Sequence, residues 1–330
     1  MRLTSEDPIL LSSGDEPTKV DELGLNKLDP ILKEWQIKDA ILVHRGQVKW
    51  KWHDKKSDRV GAIYSCTKSI LSALIGIAIE QGHIAGLDQP IADYFEEIRL
   101  SSDERKRSIT IRNLLTMTPG LDWPDFDKPY WQMKRTRDWV KFIVEQPMGH
   151  EPGEVFTYNS GASHLLSAIL TKTTELSALE YAQLYLFNKL GFRKPRWNSS
   201  SGIYEGGAGL HLTSLDMAKF GQLYLQRGQW NGEQLLPAAW VDSSTAVHHK
   251  GLQHYEPQIF GEYGYHWWVS PKAHNGVISC YFAKGYGGQY IFVIPERELV
   301  VVIRREAEDK SRAILSKKLL FEHLIPAISK

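Results

Sequence analysis

The apolar residues of this 330-residue chain change their period twice. In AILVHRGQVKWKWH, Ile41 and Val43, then Val48, Trp50 and Trp52, recur at every second position on either side of Arg45-Gly46. Such alternation places successive side chains on opposite faces of a strand, and the pair between reads as a hairpin turn. From Ser65 the spacing becomes helical. Ile70, Leu71, Leu74, Ile75, Ile77 and Ile79 leave almost no polar face, so the helix they predict belongs in the core. Past Gly261 the period of two returns in YGYHWWVS, GVISCYFAKG, GQYIFVIPE and LVVVIRR, with Pro295 to Glu298 as a tight turn between the last two. Strands at both ends with helices between them fit one sheet built from both termini.

The expected fold class is α+β: an antiparallel sheet from both chain ends flanked by helices, with an inserted mainly helical region. Residues 1–64 would supply an N-terminal helix and the first strands, 65–225 the helical region, and 226–330 the remaining strands and a closing helix. Together they would form one structural unit of two lobes. Val20–Lys38 reads as a helix that Pro30 interrupts. TSLDMAKFGQLYLQRG opens on a cap at Thr213 or Ser214 and stops at Gly228.

Composition excludes several function classes. Forty basic and 39 acidic side chains give a formal charge of +1 with no basic run, so nucleic acid is not an expected partner. No apolar run approaches the ~18 residues that suggest a membrane span. The first 17 residues are too acidic and too weakly apolar for a signal peptide, and the expectation is a cytoplasmic protein. Two cysteines, Cys66 and Cys280, make no disulfide framework. His248, His249 and His254 lack a metal-binding spacing, and HExxH is absent, so neither a metal nor a cofactor is expected.

Three short stretches carry candidate chemistry. In SCTK, Ser65 and Lys68 stand three apart and share a helix face. A serine at a helix start meets the positive end of the dipole, and its backbone N–H is free for an oxyanion. A lysine becomes a base when its surroundings remove its charge. By itself the spacing equally fits a cap followed by a snorkelling lysine. In FTYNSGAS, Tyr158 is placed to pass protons and Asn159 to hold Lys68 and a substrate amide; a buried tyrosine and an asparagine cap are the structural alternative. In AKGYGGQY, the glycines let a substrate approach the backbone. There Gly287 or Gly288 would complete an oxyanion hole with the N–H of Ser65, and Lys284 and Tyr286 would face substrate. Trp123, with Phe126, Tyr130 and Trp131, and then Trp267 and Trp268, supply aromatic walls for a substrate or filling for a core.

Joint order and spacing of these stretches resemble the serine β-lactamase-like and penicillin-binding hydrolases, closest to the class C β-lactamase branch with its DD-peptidases and esterases. The resemblance spans roughly residues 43–304. S-x-x-K stands as SCTK. Y-x-N reads as YNS, with asparagine one place early and Ser160 third. The lysine–small–glycine motif reads as KGYGG, with Tyr286 where glycine is usual. The resemblance implies an acyl-enzyme on Ser65, Lys68 as base and Tyr158 as relay, acting on an ester, amide or β-lactam carbonyl of a small molecule or short peptide. A D-amino-acid peptidase and a non-catalytic ligand-binding relative are the alternatives. The G-x-S-x-G elbow of the other large serine hydrolase group is absent.

Overall fold

A computed structural model describes residues 20–123, 128–252, 255–256, 258–308 and 310–328. Phe126 and His254 lie outside the described residues. Seven antiparallel strands form the main sheet: β1 (Ile37–His44), β2 (Gln47–His53), β3 (Glu262–Tyr263), β4 (Trp268–Ser270), β5 (Cys280–Gly285), β6 (Gln289–Ile294) and β7 (Leu299–Arg305). Their spatial order is β3-β4-β5-β6-β7-β1-β2. The N-terminal hairpin therefore closes one side of a sheet whose other five strands come from the C-terminal end, as the two stretches of period two predict. The β1–β2 hairpin turns at Arg45 (φ 50°) and Gly46 (φ 71°), the left-handed pair that matches strand twist.

Both faces of this sheet are covered. Ile41, Val43, Ile291, Val293, Val300 and Val302 enter the core shared with the helical region. Their neighbours Leu42, Tyr290, Phe292, Val301 and Ile303 enter a second core beneath the C-terminal segment, with Leu319, Leu320 and Leu324. Double burial explains why LVVVIRR is apolar without a break, although its pairing is antiparallel.

Helix α1 (Thr67–Glu80) runs through the first core and is buried from Thr67 to Ala78. Against it packs α3 (Ser160–Thr174), which also meets α2 (Lys128–Met133); α4 (Ser214–Leu225), opened by a capping box of Thr213 and Asp216, packs on the sheet. The stretch before β1 departs from the expected interrupted helix only in detail: it makes two short helices, Glu22–Asn26 and Asp29–Glu34, with Pro30 in the first turn of the second, where its missing N–H costs nothing. YGYHWWVS, expected as one strand, is split between two: Tyr263 ends β3 and pairs with Trp268, and Trp268–Ser270 form β4. His266 takes a left-handed φ of 61°, and Gly264 donates its N–H to the Trp267 carbonyl, so the chain turns there instead of extending. No helix among the described residues is long and apolar enough to cross a membrane.

Candidate active site

A 3-10 turn, Tyr64–Cys66, leads into α1 and carries Ser65. Tyr64 sits at φ 48°, a conformation that costs a tyrosine energy and that the surroundings must impose. Thr67 ties this turn to the 208–210 stretch. The Thr67 hydroxyl lies 2.6 Å from the Tyr64 carbonyl and 3.0 Å from that of Ala208, and it accepts the Leu210 N–H. Cys66 points away, its buried thiol 3.7 Å from the Gln289 carbonyl and pushed up to about 12 by burial.

One turn along the helix, Lys68 is 1% exposed. Its Nζ lies 2.6 Å from the Gly207 carbonyl, 3.1 Å from Ser160 Oγ and 3.2 Å from Ser65 Oγ, and 4.8 Å from the centre of the Tyr158 ring. Burial lowers the amine to about 7, against the raising effect of the Glu205 carboxylate and Cys66. Tyr158 hydrogen-bonds Ser65, but burial is the larger influence and holds its hydroxyl protonated well above the ordinary value. Its ring stacks on Trp268 at 5.6 Å. Behind Lys68 the buried His266 meets Ser163 Oγ at 3.1 Å, and burial keeps the imidazole far below its usual pKa.

These groups open onto a cleft of about 520 Å³ lined by Tyr64, Ser65, Tyr130, Trp131, Tyr158, Ser160, Ala208, Phe260, Trp268, Lys284, Gly285 and Tyr286. Seven of the twelve are aromatic. Lys284 brings its Nζ to 4.4 Å from the Phe260 ring centre, and burial lowers the ammonium to about 8. Among the described residues it has no ion-pair partner.

Four expected site residues stand elsewhere. Asn159 is fully buried as the N-cap of α3, with Oδ1 accepting the Ala162 N–H at 3.0 Å; it is not among the partners of Lys68. Ser160, the next residue, reaches the amine instead. Trp123 is 1% exposed and packs edge-on against Phe142, away from the cleft. Gly287 (φ 72°) and Gly288 (φ 99°) make the turn between β5 and β6, and the Gly288 N–H is taken by the Gly285 carbonyl at 3.3 Å. A Cβ on Gly287 would fall 2.4 Å from Ala307 Cα, and one on Gly288 2.8 Å from Ser316 Oγ, so the pair packs on the C-terminal segment. The cleft is bordered by Gly285 and Tyr286. Gly207 is the partner that sequence reasoning did not single out; its signal is a double glycine, which allows the close approach of this turn to α3.

One further group has ligand-type side chains. Asp39, His53 and Asp58 cluster within 4.8 Å, but the Arg304 guanidinium lies 3.5 Å from Asp39 and 3.9 Å from Asp58. Asp58 also accepts the N–H groups of Ser214 and Leu215 at the start of α4. A cation would compete there with a fixed guanidinium, so the cluster reads as a structural ion network.

Comparison with known proteins agrees with this fold. A family model described as Beta-lactamase matches residues 39–313. The chain therefore belongs to the β-lactamase family. The 6-aminohexanoate-dimer hydrolase of Paenarthrobacter ureafaciens is 24% identical over 290 residues, which is 80% of this chain and 71% of that protein. A Bacillus anthracis structure described as a candidate 6-aminohexanoate-dimer hydrolase superposes with a TM-score of 0.76 at 21% identity, covering 92% of this chain and 83% of its own. EstCE1, a hydrolase with promiscuous acyltransferase activity, gives 0.70 at 16% identity over 86% and 92% of the two chains.

Proposed function

We propose that the protein is a serine hydrolase that forms an acyl-enzyme on Ser65 and acts on an ester or amide with an apolar acyl group. One observation carries this reading: the Ser65 hydroxyl, the Lys68 amine and the Tyr158 hydroxyl converge on the floor of an aromatic cleft. Near neutral pH a large fraction of Lys68 is uncharged, and a neutral amine has two protons and one lone pair. Gly207 O and Ser160 Oγ accept the two protons. The lone pair is left for the proton of Ser65.

In the forward step the Ser65 proton moves to Lys68 Nζ as Oγ bonds to the carbonyl carbon. The developing oxyanion faces the Ser65 N–H and the N–H of Tyr286, the cleft-lining residue of the glycine run. Collapse expels the alcohol or amine, which takes a proton from Tyr158; the proton gained by Lys68 replaces it. Water then enters and the same groups run in reverse, leaving free acid and Ser65. Similarity to a 6-aminohexanoate-dimer hydrolase supports the hydrolytic reading. The seven aromatic walls favour an apolar acyl chain, and Lys284 adds a site for an anionic substituent.

Intact-mass analysis during turnover of p-nitrophenyl esters, amide substrates and a cephalosporin tests the reading. The expected result is a transient adduct mapped to Ser65 with the esters. No adduct with any acylating reagent would overturn it and favour a ligand-binding protein.

A further inference from the structure

Glu205 carries a carboxylate that none of the steps above uses. It is 2% exposed and opens the turn Glu205-Gly206-Gly207-Ala208-Gly209. Oε1 accepts the Tyr130 hydroxyl at 2.5 Å, and Oε2 accepts Lys134 Nζ at 2.9 Å. Tyr130 and its neighbour Trp131 line the cleft from α2. That helix has six residues, too few for stability of its own, so its placement depends on such tertiary ties. Lys134 is also held 4.3 Å over the Trp139 ring, and both oxygens of the Glu205 carboxylate are bound to this wall.

The other end of the turn touches the serine–lysine pair. Gly207 O accepts from Lys68, and Ala208 lines the cleft and meets the Thr67 hydroxyl. The turn has no slack. A Cβ on Gly206 would lie 2.1 Å from the Ser163 carbonyl, one on Gly207 2.8 Å from Ser160 Cβ, and one on Gly209 (φ +83°) 2.9 Å from Glu205's own Cβ. Backbone is thus wrapped around the carboxylate and pressed onto α3. The Glu205 backbone is fixed as well, its N–H donating to the Asn198 carbonyl and its carbonyl accepting Trp197 Nε1, both at 2.9 Å, so the carboxylate reaches Tyr130 from a set position.

We propose that Glu205 is a positioning residue: its carboxylate ties the aromatic wall on α2 to the turn that holds the Lys68 amine, so that cleft width over Ser65 and placement of the amine are set together. This rests on Ser65 being the nucleophile. The test is the second-order rate of Ser65 labelling by a fluorophosphonate, read by intact mass, in wild type, Glu205→Ala, Glu205→Gln, Tyr130→Phe and the Glu205→Ala/Tyr130→Phe pair. Circular dichroism reports folding. Misplacement by about 1 Å lowers such rates on the order of 10- to 100-fold, the loss expected for Glu205→Ala. Glu205→Gln keeps an oxygen for the Tyr130 hydroxyl and should recover most of the rate, which a simple loss of stability would not explain. Tyr130→Phe should slow labelling several-fold, and the loss in the pair should differ from the product of the single losses. Labelling of Glu205→Ala at the wild-type rate overturns the proposal. If that variant does not fold, labelling of Tyr130→Phe at the wild-type rate overturns it. A wild-type protein that never labels overturns the nucleophile assignment and this proposal together; labelled wild type with unaffected variants overturns this proposal alone.

Discussion

At the scale of single residues, the account turns on the charge state of Lys68. Replacing it with arginine keeps hydrogen-bonding capacity but installs a cation that does not lose its proton. Lys68→Arg is therefore expected to abolish ester turnover while the folded state persists, measured by p-nitrophenyl ester hydrolysis beside circular dichroism. Ser160→Ala removes one acceptor of the amine. Loss of about 1.4 kcal/mol of hydrogen bonding lowers kcat/KM about tenfold, and KM should change little because Ser160 aligns the base. A loss of kcat/KM carried entirely by a higher KM would contradict that role. The serine–lysine pair was legible because three residues along a helix fix a shared face. The asparagine beside them was not. A residue that caps a helix folds its side chain back onto the first turn, so Asn159 is consumed by Ala162 and the adjacent Ser160 faces the amine.

At the scale of elements, the site is a meeting of α1, β5, α3 and the 205–209 turn. Gly285 shows how tightly β5 is pressed to the nucleophile turn: a Cβ there would lie 2.3 Å from the Ile63 carbonyl. That contact is with backbone and has no side chain to swing aside. Gly285→Ala should destabilise by about 1–3 kcal/mol as an overpacking substitution and slow Ser65 acylation, read by thermal unfolding and by labelling rate. An unchanged rate would mean that β5 does not set the geometry of Ser65. The hairpin from β5 to β6 was legible from its alternating apolar residues. Its glycines could not be assigned from sequence, because the strand register decides which residue bends and which faces the cleft. Pairing of Gly285 with Gln289 leaves Tyr286 at the cleft and sends Gly287 and Gly288 around the turn.

At the scale of the whole molecule, a sheet buried on both faces gives the rigidity that holds a desolvated lysine. The arrangement of sheet and helices was readable from the two changes of period, since burial imposes periodicity over long stretches. Trp123 shows the limit: periodicity and composition do not say whether an aromatic residue fills a core or a cleft. The global consequence of Lys68 concerns stability. Its folded value is about 7 and its unfolded value about 10.5. Between those values the unfolded chain binds a proton that the native state does not, so this group's contribution to stability falls as pH is lowered from about 10.5 to 7 and is level below. The unfolding free energy of Lys68→Met relative to wild type should rise over that window by a few kcal/mol, measured by denaturant titration at several pH values. A difference independent of pH would mean that the amine is solvated.

The most direct test of the account is the pH dependence of single-turnover acylation of Ser65, with Ser65→Ala as the blank. The account predicts a rate that falls tenfold per pH unit below an apparent pKa near 7, the value that burial gives the Lys68 amine. A rate that stays flat from pH 5 to 9, or a transition close to the ordinary lysine value, would contradict it.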